Sequence, residues 1–238
     1  MKINANGLGY KQLNEKIKEA SGNVTVEGVL GERFIASGLG KRKITIKGTP
    51  GNALGAYMDG ATVEVYGNAQ DATGDTMNDG KIVVHGSVGD ALGYAMRGGR
   101  IYVRGDAGYR AGVHIKEYND KKPVIIVGGV CGSFLGEYMA GGRVVVLNLA
   151  NAKEIVGNFT GVGMHGGKIY LRMKENNVIL PSQVTLRKAT KEDMAEISVY
   201  LHEYADDFDL DGNYLLNSEY YVLSPDSANP YKRLYTSN

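Results

Sequence analysis

The chain has 238 residues, with 27 Lys and Arg against 26 Asp and Glu, so its formal net charge is +1. This balance gives no electrostatic reason to expect a nucleic acid or an anionic membrane as a partner. No apolar run is long enough for a transmembrane helix, and the N-terminus lacks the apolar core of a signal peptide, so we expect a cytoplasmic protein. The single cysteine, Cys131, excludes an internal disulfide and any multi-cysteine metal site.

The first predicted element is a helix over residues 8–20. Its apolar side chains recur at helical spacing, at Tyr10, Leu13, Ile17 and Ala20. Gly22 follows as a stop signal. We expect this helix to cover an open end of the repeat described next, because unpaired strand edges invite strand addition.

Glycine is unusually frequent, with 34 residues, and many of these glycines recur at a fixed period. The anchors of the repeat are Gly55, Gly74, Gly93, Gly112, Gly136 and Gly161. Their spacings are 19, 19, 19, 24 and 25, and the last two predict insertions near 118–123 and 148–154. Each copy leads into a short alternating strand, as in Ile82–Val84 and Ile101–Val103.

We therefore predict an all-β fold, a right-handed parallel β-helix of about seven coils of about 19 residues, with short helical extensions at both ends. Three columns of the repeat are predicted to fill its interior. One is rich in methionine, namely Met58, Met77, Met96, Ile115, Met139 and Met164. The others are Leu54, Thr73, Leu92, Ala111, Leu135 and Thr160, and Val65, Val84, Val103, Val127, Val146 and Leu171.

Few residues suggest chemistry. His85, His114, His165 and His202 show no metal-ligand spacing, and Cys131 falls in a column of small apolar residues, which predicts a buried, inert thiol. A polar column contains Asp71 and Asp90, which could share a cation such as calcium. The alternative, which we favour, is a ladder of Asx turns bonded to their own backbone. We assign no catalytic, cofactor-binding or metal-binding residue.

The pattern changes after Pro181. A helix is predicted from Lys191 to about Asp206, followed by an acidic and then aromatic tail with Tyr214, Tyr220, Tyr221, Tyr231 and Tyr235. We expect this tail partly to pack on the β-helix and partly to contact a partner. The predicted division of the chain is an N-terminal cap (1–23), the β-helix (24–180) and the C-terminal helix and tail (181–238).

The recurring motif Gly-x-x-x-Gly, then Met-x-Gly-Gly and a basic and a β-branched residue, resembles the GXGXG domain of the glutamate synthase large subunit. It occurs at residues 89–101, 132–144 and 157–169, and its twin glycines are Gly98, Gly99, Gly141, Gly142, Gly166 and Gly167. Residues 29–39 are similar to the entry segment of that domain, and the helix after Pro181 resembles the end of that subunit.

The resemblance implies a non-catalytic structural subunit that holds an amidotransferase chain and an FMN and iron–sulfur chain together, for glutamate synthesis from glutamine and 2-oxoglutarate. It implies no cofactor in this chain. The C subunit of formylmethanofuran dehydrogenase, which has a similar β-helix, is the alternative. A self-assembling homo-oligomer and a polysaccharide-acting β-helix enzyme are further hypotheses; the second requires an exposed acidic groove.

Overall fold

The computed structural model describes residues 1–175 and 178–226. Within these residues the helices are α1 (Tyr10–Glu19), α2 (Lys191–Asp207) and α3 (Gly212–Leu216). The strands are β1 (Lys2–Asn4), β2 (Val24–Leu30), β3 (Lys43–Thr49), β4 (Asp59–Tyr66), β5 (Asp79–Val84), β6 (Arg100–Val103), β7 (Val124–Val127), β8 (Ala140–Val146), β9 (Gly166–Arg172), β10 (Val184–Lys188) and β11 (Tyr220–Pro225).

The strands from β1 to β9 lie side by side in chain order, and every neighbouring pair is parallel. Val63 pairs with Ile82, and Ile82 pairs with Ile101, so one period of the repeat is one coil. The predicted class, a parallel β-helix with helical extensions, is confirmed. Strands β2 to β9 form eight coils, one more than the approximate number predicted. The additional coil is that of β2, which pairs in the sheet although no clear glycine motif marks its coil.

The interior of the solenoid contains the three predicted columns. Every member of the methionine column is fully buried, and so are the members of the other two columns. The two threonines in these columns satisfy their hydroxyl groups locally, since Thr73 donates to the Gln70 carbonyl and Thr160 to the Gly157 carbonyl. The prediction that the methionine column lies in the core is therefore confirmed.

Both ends of the solenoid are covered by elements of the same chain. At the N-terminal end, α1 places Leu13 and Ile17 in the main core. At the C-terminal end, β11 pairs antiparallel with β9, and β10 pairs antiparallel with β11. One sheet therefore crosses both predicted domain boundaries, and the division at 23/24 and 180/181 remains a prediction.

Helix α2 lies on the outer face of the sheet and forms a second core there. Its apolar residues Ile197, Leu201 and Tyr204 pack with Phe208 against the outward side chains Val83, Tyr102, Val124, Ile126, Val145 and Tyr170. The helix begins with a capping box, in which Thr190 and Asp193 satisfy each other's backbone N–H groups. The predicted helix is thus placed on the side of the solenoid.

Candidate interaction surface

Coils of this solenoid present three kinds of outward surface, and each has a different chemistry. The first, which we call the ladder face, contains Asn68, Asp71, Ser87, Asp90, Asp106 and Ser133. On this face a side-chain oxygen of one coil accepts the backbone N–H of the next coil. Asp71 Oδ1 accepts from Asp90 N at 2.9 Å, and Asp90 Oδ1 accepts from Tyr109 N at 2.8 Å.

The ladder face therefore differs in one respect from the predicted Asx turns, because its bonds join neighbouring coils instead of closing on their own backbone. Asp71 and Asp90 each direct one carboxylate oxygen at a backbone N–H group. Within residues 1–175 and 178–226, no group of three or more His, Cys, Asp or Glu is placed to hold a metal ion. We assign these two aspartates a role in joining coils.

The second surface is the sheet face, which α2 covers through ion pairs at two points of the helix. Glu203 pairs with Lys81 and Arg100 and accepts a hydrogen bond from the Tyr102 hydroxyl. Two helical turns earlier, Glu196 contacts an equivalent set of residues, Arg143, Lys168 and Tyr170. The same arrangement of two cations and a tyrosine thus recurs along the helix.

The electrostatics of Glu196 follow from these contacts. Burial alone would raise the pKa of this carboxyl, but hydrogen bonds from Arg143, Lys168 and Tyr170 together lower its pKa to about 2. The pKa of Asp193 is also lowered, chiefly by the hydrogen bond from Arg187 and against the effect of burial. These groups hold a helix on a sheet.

The third surface, which we call the turn face, is formed where each coil passes through alternating left-handed residues. In one coil Ala91, Gly93 and Ala95 have φ of 58°, 64° and 51°. This face is formed by Phe34, Tyr57, Ala72, Ala91, Tyr94, Ala95, Arg110, His114, Phe134, Tyr138 and Phe159, which are exposed or partly exposed, and by Ala53 and Thr76, which are buried. Their backbone groups are bonded between coils, as in Ala91 N to Tyr109 O (2.8 Å) and Ala95 N to Val113 O (2.9 Å).

The anchor glycines lie at the inward-facing positions of these turns. A Cβ at Gly93 would lie 2.5 Å from Ile125 Cδ1, and a Cβ at Gly74 would lie 2.2 Å from Ile101 Cδ1. The other anchors, Gly55, Gly112, Gly136 and Gly161, also have positive φ. Since Ala91 and Ala95 tolerate the same backbone conformation, lack of space is what requires glycine at Gly93.

The twin glycines of the motif lie where the next strand begins. Gly99, Gly142 and Gly167 have φ between 77° and 79°. At their partners Gly98, Gly141 and Gly166, a Cβ would come within 2.5 Å of backbone atoms of a preceding coil. All twelve glycines of the predicted motif therefore allow a tight turn or close stacking of coils.

Aromatic side chains are exposed on the turn face. Tyr57 is 59% exposed and Phe159 is 57% exposed. Neighbouring coils stack their rings on each other, with ring centroids 5.0 Å apart for Phe134 and Phe159 and 5.2 Å apart for His114 and Tyr138. The Arg110 guanidinium lies 4.8 Å from the Phe134 ring centroid and pairs with Glu137. A contiguous surface of exposed rings is typical of a protein interaction site.

The remaining candidate groups, Cys131 and the four histidines, each have a structural environment in this chain. Cys131 is buried in the column of bridges between coils, and burial raises the pKa of its thiol, with Asp106 adding to the effect, so the predicted inert role fits. The four histidines make separate local contacts. His85 contacts Glu64, His114 stacks on Tyr138, and His165 and His202 bond to backbone carbonyls.

Part of the aromatic tail packs back on the solenoid, as predicted, and contact of the tail with a partner stays a prediction. Tyr220 is buried and its hydroxyl donates to the Leu215 carbonyl, and Tyr221 is partly buried in β11. Tyr214 is 58% exposed, and its hydroxyl accepts a hydrogen bond from Arg172. Tyr231 and Tyr235 lie outside the described residues. No helix in the described part of the chain is long and apolar enough to cross a membrane.

The chain is therefore a parallel β-solenoid with glycines at its corners. Elements of the same chain cover both of its ends and one of its sides. The family model described as GXGXG motif matches residues 11–223, and the chain belongs to this family. It is 43% identical over 249 residues to the uncharacterized protein MJ1350 of Methanocaldococcus jannaschii, which covers 98% of this chain and 95% of that protein.

A solved structure has a similar fold. It is a chain of the formyltransferase/hydrolase complex (FhcABCD) from Methylorubrum extorquens in complex with methylofuran. The match has a TM-score of 0.66 and 20% sequence identity, and it covers 87% of this chain and 74% of that chain. At this identity the likeness concerns the fold, and it places the fold in a chain of a multi-chain complex.

The turn face was not predicted as a site from the sequence. A signal for it was present, because the position two residues before each anchor glycine contains Arg110, Phe134 and Phe159 beside the alanines Ala53, Ala72 and Ala91. An arginine and phenylalanines alternating with alanines in one column do not suggest a core, whose columns contain mostly aliphatic residues and methionine. The left-handed backbone that turns this column outward is visible only in the structure.

Proposed function

We propose that this chain is a non-catalytic subunit that holds catalytic chains of an enzyme complex together, and that the turn face is its main contact surface. The observation that carries the proposal is the set of exposed aromatic rings on this face, some of which stack on rings of the neighbouring coil. Rings held in place by stacking lose little conformational entropy when a partner covers them, which favours binding.

The particular complex that we propose is of the glutamate synthase type. The support is membership in the GXGXG motif family, together with the motif and the entry segment at residues 29–39. A relative of nearly the same length supports the idea that this domain can be a separate chain. The partners would then be an amidotransferase chain and a chain with FMN and an iron–sulfur cluster, and the charged groups that bind those cofactors would belong to the second chain.

A second candidate is a β-helix subunit of a formylmethanofuran dehydrogenase-type complex. The observation in its favour is the fold likeness to a chain of a formyltransferase/hydrolase complex that contains methylofuran. Both candidates assign this chain the same structural role, and they differ in the chains it would meet.

The test is affinity purification of the full chain from its native cells under mild salt, followed by mass spectrometry and an absorbance scan. Recovery of an amidotransferase and a chain with flavin and iron–sulfur absorbance supports the first candidate. Recovery of molybdenum or tungsten dehydrogenase chains supports the second. A colourless chain that is recovered alone, or only with copies of itself, contradicts both.

A further inference from the structure

Three charged residues in the described part of the chain are almost completely buried, and one of them differs from the other two in its partners. Arg143 is 9% exposed and pairs with two glutamates, and Asp193 is 2% exposed and pairs with a lysine and an arginine. Arg172 is as buried as Arg143, but within residues 1–175 and 178–226 no carboxylate lies within salt-bridge distance of it. A buried charge normally has an opposite charge beside it.

The guanidinium of Arg172 is held by neutral oxygen atoms. Its Nη1 donates to the carbonyls of Leu147 (2.8 Å) and Asn148 (3.2 Å), and its Nε donates to Ser218 Oγ (3.1 Å). Its Nη2 donates to the hydroxyl of Tyr214 at 2.8 Å. These bonds fix the position of the guanidinium, but neutral acceptors do not cancel its positive charge.

Arg172 and Tyr214 line a cleft of about 910 Å³ between an insertion of the solenoid, the end of β9 and the segment that contains α3. The lining also includes Ile155, which is buried, and Met173, which is half-buried. The ring of Tyr214 is largely exposed in the same cleft. Small-molecule sites have volumes of this order and combine apolar side chains with a few fixed polar groups.

The rim of the cleft contains charges of both signs. Lys153 and Lys174 are exposed there, and so are Glu175, Asp211 and Glu219. The three carboxylates repel a ligand with several negative charges more strongly than a ligand with one. The cleft therefore favours a monoanion whose charge reaches the buried guanidinium and whose remaining atoms contact the apolar lining.

We propose that this cleft binds the carboxylate group of a small organic acid at Arg172 and Tyr214. The Tyr214 hydroxyl accepts a hydrogen bond from Arg172, which leaves its own O–H to donate to a carboxylate oxygen. A hydroxyl polarised by a cation is a stronger donor, and the buried charge of Arg172 attracts an anion more strongly than an exposed one does. The cleft shares no residue with the turn face, so the inference does not depend on the partner chains.

The test is calorimetric titration of the full chain with sodium benzoate and with its neutral analogue benzamide, at constant ionic strength. Tyr214→Phe removes the hydroxyl, keeps the ring and leaves the buried Arg172 in place. Tyr118→Phe is the matched control, because both tyrosines are 58% exposed. We expect benzoate to bind the wild type and Tyr118→Phe equally, and to bind Tyr214→Phe roughly tenfold more weakly. Benzamide should give no binding heat, and all three chains should share one thermal midpoint.

Four results would overturn the proposal. Without any binding of millimolar benzoate to the wild type, the cleft is not a carboxylate site. Benzoate binding that is unchanged in Tyr214→Phe would place the site elsewhere on the chain. Equal binding of benzamide would mean that the charge of Arg172 does not contribute. Tighter binding of inorganic phosphate than of benzoate would make phosphate, and not a carboxylate, the chemistry that this cleft selects.

Discussion

Glycine and alanine share the left-handed conformation in the turns of this solenoid, and what separates them is the direction of the side chain. Gly93 faces the interior, where Ile125 leaves no room for a Cβ, while Ala91 and Ala95 face outward. A left-handed residue other than glycine costs about 1–2 kcal/mol. Many outward positions adopt this conformation despite its energetic cost, because stacking between coils stabilises it.

Gly93→Ala should lower the free energy of unfolding by roughly 2–4 kcal/mol, because it adds both left-handed strain and a clash with Ile125. Ala91→Gly is the matched control at the neighbouring outward position, and its effect should stay within about 1 kcal/mol. Urea unfolding followed by circular dichroism measures both. Equal midpoints for the two variants would mean that interior space does not decide where glycine occurs.

At the scale of elements, α1 closes the solenoid by filling the end of its core. Leu13 is fully buried and Ile17 is 1% exposed. Leu13→Ala should therefore destabilise the chain by about 2–4 kcal/mol, and hydrogen exchange should increase first in β1 and β2. The exposed neighbour Lys11→Ala is the control. Uniform loss of protection along all coils would contradict a local role for the cap.

Helix α2 should make stability depend on pH in a defined window. The pKa of Glu196 is lowered to about 2 in the folded chain, from an ordinary value of 4.5. A carboxyl with a depressed folded pKa stabilises the fold above its ordinary pKa, and this contribution is lost as pH falls from about 4.5 towards 2. Glu196→Gln should lower stability at pH 7 by roughly 1–3 kcal/mol and flatten the acid side of the profile.

The measurement is the thermal midpoint between pH 2 and pH 7 for the wild type, Glu196→Gln and Asp206→Asn. Asp206 is exposed on the same helix and serves as the control. If Glu196→Gln retains the full acid sensitivity of the wild type, other carboxylates, among them Asp193, dominate the transition instead.

The solenoid could be predicted from the sequence because its interior columns repeat with the same period as the glycines. A residue of the expected type in each column is enough to locate a coil. The position of α2 was not predicted, although the central residue of the strands changes from Thr45 and Glu64 to Val83, Tyr102 and Ile126. This change marks where the outer face becomes buried. The turn face was missed because its left-handed backbone does not follow the alternation expected of strands.

At the scale of the whole molecule, each side of the solenoid has a different structural role. The ladder face joins coils, the sheet face binds the chain's own helix, and the turn face leaves rings exposed. A rigid body with one uncovered aromatic side suits a subunit that positions other chains. The central claim is therefore that partners are bound through the turn face.

Quantitative affinity capture from native cells tests this claim most directly, with the wild type, Phe159→Glu and Tyr118→Glu as baits. Phe159 and Tyr118 are similarly exposed, at 57% and 58%, but Tyr118 lies in the hairpin of an insertion, away from the turn face. We predict that Phe159→Glu recovers roughly tenfold less partner, while Tyr118→Glu equals the wild type and all three share one thermal midpoint. Equal recovery with all three baits would contradict the account.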